Sequence, residues 1–388
     1  MINQNFQRTL TLKNSIYLGL SSMIGAGIFN NLAPTSKLSS YSSILGLIFA
    51  ATLAFSNAAS SAQLAAIFPE TGGTYLYAKK VLGQKVANIA GVVFIVGKTI
   101  SCVAIALTLG NYISPIYSKE IATLLSVLVF TLSFFGVQKT AFIAKWLVWI
   151  LLGILSIYSI SILTTSTINL NIPVFNGFSI TSFLISSSIW FFAFTGYSRL
   201  ATFGEEIKNP GKIIPLAIFV GLGVTIFVYL VISWLTFSIV NPEIIMNSST
   251  PLLVAMNLSR FSEFSFLITY GSSIAMTSVF LALLPGISRI YVAMSRDKIL
   301  PKKLQKIHKK FNSAYIAESI VLVSVILGIY NFDVISSIKL SAFFILIYYS
   351  ITNLCVINLP KNKRMYSLLI SYYGLCLCFI FGLSLVVF

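Results

Sequence analysis

Long apolar stretches alternate with short polar connections along the whole chain. A helix that crosses a bilayer needs about 20 apolar residues. On that ruler eleven spans are predicted, at 14–34, 41–67, 86–110, 119–136, 143–163, 180–201, 213–240, 264–292, 314–331, 335–357 and 366–387. The charges sit in the connections, and unevenly. One side would hold Lys79, Lys80 and Lys85; Lys139 and Lys145; Lys208 and Lys212; and Lys361, Lys363 and Arg364. The loop after span 8 adds Arg296, Lys298, Lys302, Lys303, Lys306, Lys309 and Lys310, whereas the other side has only Lys37, Lys119, Arg260 and Lys339. Basic residues stay on the cytoplasmic side of a membrane. The N-terminus is therefore expected in the cytoplasm and, with an odd count, the C-terminus outside a cell (inner) membrane.

Composition narrows the class. The 388 residues are 57% hydrophobic and 9% charged, against about 25% charged in soluble domains. The net charge of +17 would suit a nucleic-acid binder, but lysines scattered between apolar runs form no binding face. Polar residues 1–13 precede a first run long enough to span, so no cleavable signal is expected. Cys102, Cys355, Cys376 and Cys378 all fall in apolar runs, and no disulfide or metal site is indicated. His308 is the single histidine, and the nine acidic residues lie nearly all at span ends or in loops. That argues against an integral-membrane enzyme, and no phosphate-binding pattern or cofactor is indicated.

Two spans carry interruptions. The first is Ser21-Ser22-Met23-Ile24-Gly25-Ala26-Gly27-Ile28-Phe29-Asn30, and the second is Trp190-Phe191-Phe192-Ala193-Phe194-Thr195-Gly196-Tyr197-Ser198-Arg199. Each glycine weakens a helix by about 1 kcal/mol relative to alanine. Unpaired main-chain groups in lipid are costlier still, unless they face protein or a wet cavity. One interruption alone reads equally well as a small-residue seam between packed helices. Two of them, opening spans 1 and 6, divide the chain into blocks of five spans, and an odd-numbered block reverses direction. Interrupted helices at matching positions of inverted repeats mark a transporter's midplane site. The expected division is a cytoplasmic segment at 1–13, five-helix repeats at 14–163 and 164–357, and a loop with one extra helix at 358–388.

Three connections are distinctive. Pro69–Lys80 contains a Gly-Gly turn, with Tyr75 and Tyr77 suited to the headgroup zone. Gly204–Lys212 contains Asn-Pro-Gly, which ends a helix. Residues 241–262 have room for a short amphipathic helix.

With these residues the chain resembles the amino acid–polyamine–organocation transporter superfamily, in its amino-acid permease branch. The matching motifs, in the family's order, begin with Gly25-Ala26-Gly27-Ile28-Phe29 and Pro69-Glu70-Thr71-Gly72-Gly73-Thr74-Tyr75. They continue with Phe191–Gly196, Glu205-Glu206-Ile207-Lys208-Asn209-Pro210, Ser288-Arg289, Ala293–Asp297 and Leu300-Pro301. The resemblance implies an all-α polytopic membrane protein of five-plus-five inverted repeats, with helices 1 and 6 discontinuous. Two further helices are usual, whereas one is expected here. It implies that main-chain N–H groups around Ile24, Gly25, Ala26, Gly27 and Ile28 take an amino acid's carboxylate, which suits the positive end of a half-helix. Carbonyls around Phe192, Ala193, Phe194, Thr195 and Gly196 would take the ammonium, and Phe192 would close over the substrate or simply pack in the core.

Where many members of that family carry an acid, this chain has Ser198. A site without a carboxylate holds a cationic side chain poorly, which favours neutral amino acids. Lys98 lies about 20 Å along its helix from the nearest basic cluster. At that depth it is a candidate for proton coupling or gating; the alternative is a lysine tied permanently to carbonyls at the breaks. Arg199 and Glu206, seven apart on one helical stripe, are gate candidates together with Arg289. Thr277 and Ser278 offer hydroxyls either to a sodium ion or to their own helix. The expected activity is alternating-access transport of amino acids across the lipid bilayer, coupled to protons. A sodium symporter or exchanger of the same fold is the nearest alternative, and a nutrient sensor or channel belongs to another class.

Overall fold

The computed structural model describes residues 8–135, 137–166, 168–169, 178–311 and 313–387. Among them the chain is helical, and the β-pairing is one isolated bridge between Leu10 and Ile207. The first apolar run splits into α1 (Leu12–Met23) and α2 (Ala26–Ser39). Thr11 caps α1, its hydroxyl accepting the Asn14 N–H. The helix stops where Ile24 turns extended and Gly25 takes φ +149°, a conformation that L side chains avoid. There follow α3 (Ser43–Ile67), α4 (Thr74–Val81), α5 (Gln84–Ile113), α6 (Ser118–Phe134) and α7 (Val137–Leu163).

The sixth run differs from its expectation. Helix α8 (Ile180–Phe194) passes into a 3₁₀ helix over Thr195–Phe203. The chain has thus left the α-helix long before Asn209-Pro210, and those two residues instead open α9 (Pro210–Ile239). Asn209 is left-handed, and the proline takes a first-turn position where its missing N–H costs nothing. The 241–262 connection contains two short helices, α10 (Pro242–Met246) and α11 (Pro251–Asn257), each begun by a proline. The remainder is α12 (Phe266–Arg296), α13 (Tyr315–Asn331), α14 (Val334–Ile357) and α15 (Leu368–Val387).

Eight helical runs among the described residues are long and apolar enough to cross a membrane, the first of them covering α1 to α3 together. Helices α6 and α13, at 17 residues each, fall short of that length. Apolar side chains such as Leu124, Phe142, Trp149, Phe227 and Phe379 point outward, where acyl chains would cover them.

The helices pack as two equivalent sets. Helix α1 lies on α9 as α8 lies on α3; α5 lies on α14 as α12 lies on α7; and α5 meets α6 as α12 meets α13. Of these pairs only α5–α6 and α12–α13 lie within one set; the others, like α2–α8, α3–α9 and α5–α12, run between α1 to α7 and α8 to α14. Such a recurrence is what two interlocked five-helix repeats would give. Helix α15 stands outside both blocks, against α14, α3 and α8.

On the face where α1 begins, here the N-terminal face, the distinctive connections interlock. Glu205 accepts hydrogen bonds from the Thr71 N–H and from Arg296. Asp297 accepts from Tyr75 and from Lys79, and Lys80 pairs with Glu70. The expectation of Tyr75 and Tyr77 as headgroup anchors fails: both rings are buried, because α4 folds back against α5 and α14. Residues 9 and 10 are strapped across this face, with the Thr9 and Leu10 N–H groups donating to the Glu206 carbonyl and Lys208 N–H to the Leu10 carbonyl.

Candidate functional site

The two interruptions meet at the same depth. The Ser22 hydroxyl, at the end of α1, lies 3.0 Å from the Gly196 carbonyl oxygen. A Cβ on Gly196 would sit 2.0 Å from the Ser22 carbonyl oxygen, so only glycine permits the approach. Between the breaks is a cavity lined by Gly27, Lys98, Phe192, Ala193, Thr195 and Gly196, with Ser22, Met23, Ser101, Ile105, Val279 and Leu283 completing the wall. Six of the sequence-derived candidates therefore share one cavity. It measures about 20 Å³, room for a water but not for an amino acid. No carboxylate appears in its wall.

Ile24, Gly25, Ile28 and Phe194 lie behind that wall. Ile24 and Ile28 are buried in the core, Gly25 abuts the Ala275 carbonyl of α12, and Phe194 packs against Tyr229 at 5.5 Å between ring centroids. Tyr229 is a residue that sequence reasoning missed. Its hydroxyl donates to the Met23 carbonyl, and its oxygen would lie 2.6 Å from a Cβ placed on Gly27. The positive end of α2 is thereby met by a phenol. Nothing in the sequence marks this tyrosine among eighteen.

The Lys98 ammonium has the corresponding position at the other break. It is buried and donates to the Thr195 carbonyl at 2.7 Å, where Ser198 also donates at 3.0 Å and the Tyr349 hydroxyl stands 3.5 Å away. No carboxylate pairs with Lys98 among the described residues. Phe192 packs with Ala104, Ile189 and Ile338. Beyond it, a second cavity of about 260 Å³ reaches the face opposite the N-terminal one, between Asn30, Lys37, Asn111, the 246–249 loop and Val334.

Toward the N-terminal face the site rests on buried charges. Arg289 donates to Glu206 at 2.9 Å through Nε and approaches Glu318 at 3.5 Å. Glu318 also accepts from Ser133 and Ser288. The expected stripe joining Arg199 to Glu206 does not form, because the intervening backbone is 3₁₀ and turns every three residues rather than every 3.6. Arg199 is buried over the Phe203 ring at 5.0 Å, and its nitrogens have no hydrogen-bond partner among the described residues. Glu318 was missed, although a carboxylate inside an apolar run is a readable signal. Ser278 is buried with its hydroxyl likewise unpartnered among the described residues.

A bundle of apolar helices in which two are broken around a polar cavity at mid-depth defines a multi-pass membrane transporter. Sequence comparison gives the family: the amino acid permease model matches residues 14–388, and the chain belongs to that family. An uncharacterised transporter of Mycobacterium tuberculosis is 34% identical over 387 residues, covering 99% of this chain and 88% of its own. A mitochondrial cationic amino acid transporter of Arabidopsis thaliana is 25% identical, covering 79% and 55%. A branched-chain amino acid permease of Bacillus subtilis is 22% identical, covering 81% and 72%. All are named as transporters or permeases, and this chain is a transporter rather than an enzyme.

Proposed function

We propose that this protein carries neutral amino acids across the cell membrane by alternating access, with proton movement coupled to the cycle. The observation that carries the reading is the meeting of two broken helices around main-chain groups of opposite polarity. Donors at the start of α2 suit a carboxylate, and the Thr195 carbonyl suits an ammonium. These recognise what all amino acids share. The cavity wall then selects the side chain. With Lys98 in that wall and no carboxylate in it, a cationic side chain would be repelled and a neutral one tolerated. The relatives named for cationic and for branched-chain substrates are of similar distance, and the wall composition is what supports the neutral class.

The present geometry suits a state sealed toward the N-terminal face, in our reading the cytoplasm. Strapped residues 9 and 10 and the Arg289–Glu206–Glu318 cluster close that side, while the 260 Å³ cavity is on the other. Arg199, Glu206 and Arg289 then belong to the inner gate. A central cavity of about 20 Å³ must widen to admit a substrate, which is what a cycle between two states requires.

The test is uptake of a panel of labelled amino acids into proteoliposomes, with and without imposed proton and sodium gradients. Neutral amino acids should accumulate in response to a pH gradient. Accumulation of arginine or lysine alone would overturn the substrate class. A response to sodium alone would point to the unpartnered Ser278 hydroxyl and overturn proton coupling.

A further inference from the structure

Lys98 occupies the very acceptor that an amino acid's ammonium would need. Both are primary ammonium ions of the same charge and donor geometry, and the Thr195 carbonyl lies 2.7 Å from Lys98 Nζ. The cavity that both residues line measures about 20 Å³, too little for an amino acid while Lys98 holds that carbonyl. Two such cations at hydrogen-bond separation, with no carboxylate in the wall, would also repel strongly. We propose that the Lys98 ammonium and the substrate ammonium exclude one another at the Thr195 carbonyl, so that each amino acid bound expels one proton and the transporter exchanges amino acid for proton.

The step balances. An N–H bond of the Lys98 ammonium breaks, its electron pair stays on Nζ, and the proton passes to water reaching the cavity. One positive charge leaves as another arrives, and the neutral amine withdraws along its four-carbon stem. The Tyr229 hydroxyl, whose oxygen stands beside Gly27 at the start of α2, plays the matching part at the carboxylate end and yields its place when a ligand arrives. The other ionisable groups near Lys98 are few. They are Cys102 on its own helix, Tyr197 and Arg199 on the 3₁₀ segment and Tyr349 on α14, while α1 and α12 contribute none to the cavity wall. No carboxylate among these could take up the proton. It must leave. Mutual exclusion gives exchange, whereas symport requires proton and substrate to be held together.

This inference rests on the amino-acid reading above, and the experiment separates the two. Purified protein in nanodiscs is titrated with L-alanine, L-leucine, L-phenylalanine and L-arginine in weak buffer containing a pH dye. Binding should release up to one proton per amino acid, and affinity should rise by up to about tenfold per pH unit until Lys98 is neutral. In Lys98→Met the release should vanish and binding should lose its pH dependence. In proteoliposomes an acidic lumen should drive uptake. Uptake driven by an acidic exterior would overturn exchange while leaving proton coupling intact. Binding without proton release at any pH would overturn the inference while leaving the amino-acid reading standing. No binding of any of the four would remove that reading, and the inference with it. Should Lys98→Met fail to fold, the unmutated protein's proton release decides the matter alone.

Discussion

Two buried polar regions lie one above the other in this bundle, and they are built from different materials. The central one uses main-chain groups freed by broken helices, met by side-chain hydroxyls and one ammonium. The lower one uses charged side chains, with Arg289 held between Glu206 and Glu318. Main-chain donors and acceptors cannot leave, but the side chains that satisfy them can, so the centre can pass its partners to a ligand. In the lower region each charge exists for the other, and none can depart without stranding its partner in a dry place. The first arrangement suits binding and release. The second suits a seal that is either closed or opened as a whole.

The largest test of that difference is Glu318→Ala. Removing one partner of a buried ion pair costs about 3–5 kcal/mol, and the thermal midpoint of the purified protein should fall steeply. A midpoint close to that of the unmutated protein would mean that water already reaches the cluster, and the contrast between the regions would dissolve.

Next in size is Gly196→Ala. The added methyl would lie 2.0 Å from the Ser22 carbonyl oxygen, and such overpacking costs about 1–3 kcal/mol. Transport should drop with it, since the breaks must separate. Gly223→Ala, where a Cβ meets nothing within 4 Å, should leave both stability and uptake unchanged. Equal behaviour of the two variants would show that close approach of the breaks is unimportant.

The smallest effect is expected from Tyr229→Phe. Losing the hydroxyl that donates to the Met23 carbonyl should cost about 1 kcal/mol, measured by the same thermal shift. A loss as large as that for Glu318→Ala would place the phenol among the permanent supports of the fold rather than among the parts that yield to a ligand.

Much of this was legible beforehand. Apolar runs announced the helices, since lipid leaves a spanning chain little choice but to satisfy its backbone internally. The glycines at 25, 27 and 196 announced the breaks. Depth along α5 singled out Lys98. Less legible was the form of each break: two residues at Ile24-Gly25 but a nine-residue 3₁₀ segment at Thr195–Phe203. The stripe reasoning for Arg199 and Glu206 assumed an α-helix and failed for that reason. Tyr75 and Tyr77 suit the headgroup zone by their amphipathic side chains. Their neighbours in space are α5 and α14.

The sequence by itself determined the class of protein, where its helices run and where two of them must yield, because these follow from local composition and backbone freedom. Which side chains fill the yielded places was decided by packing alone. Tyr229 reaches Met23 across 206 residues and Lys98 reaches Thr195 across 97. Glu318 rather than Arg199 joins the Arg289 cluster. Such pairings depend on how interlocked helices present their faces to one another, and no periodicity along a single helix records which residue of another will lie opposite.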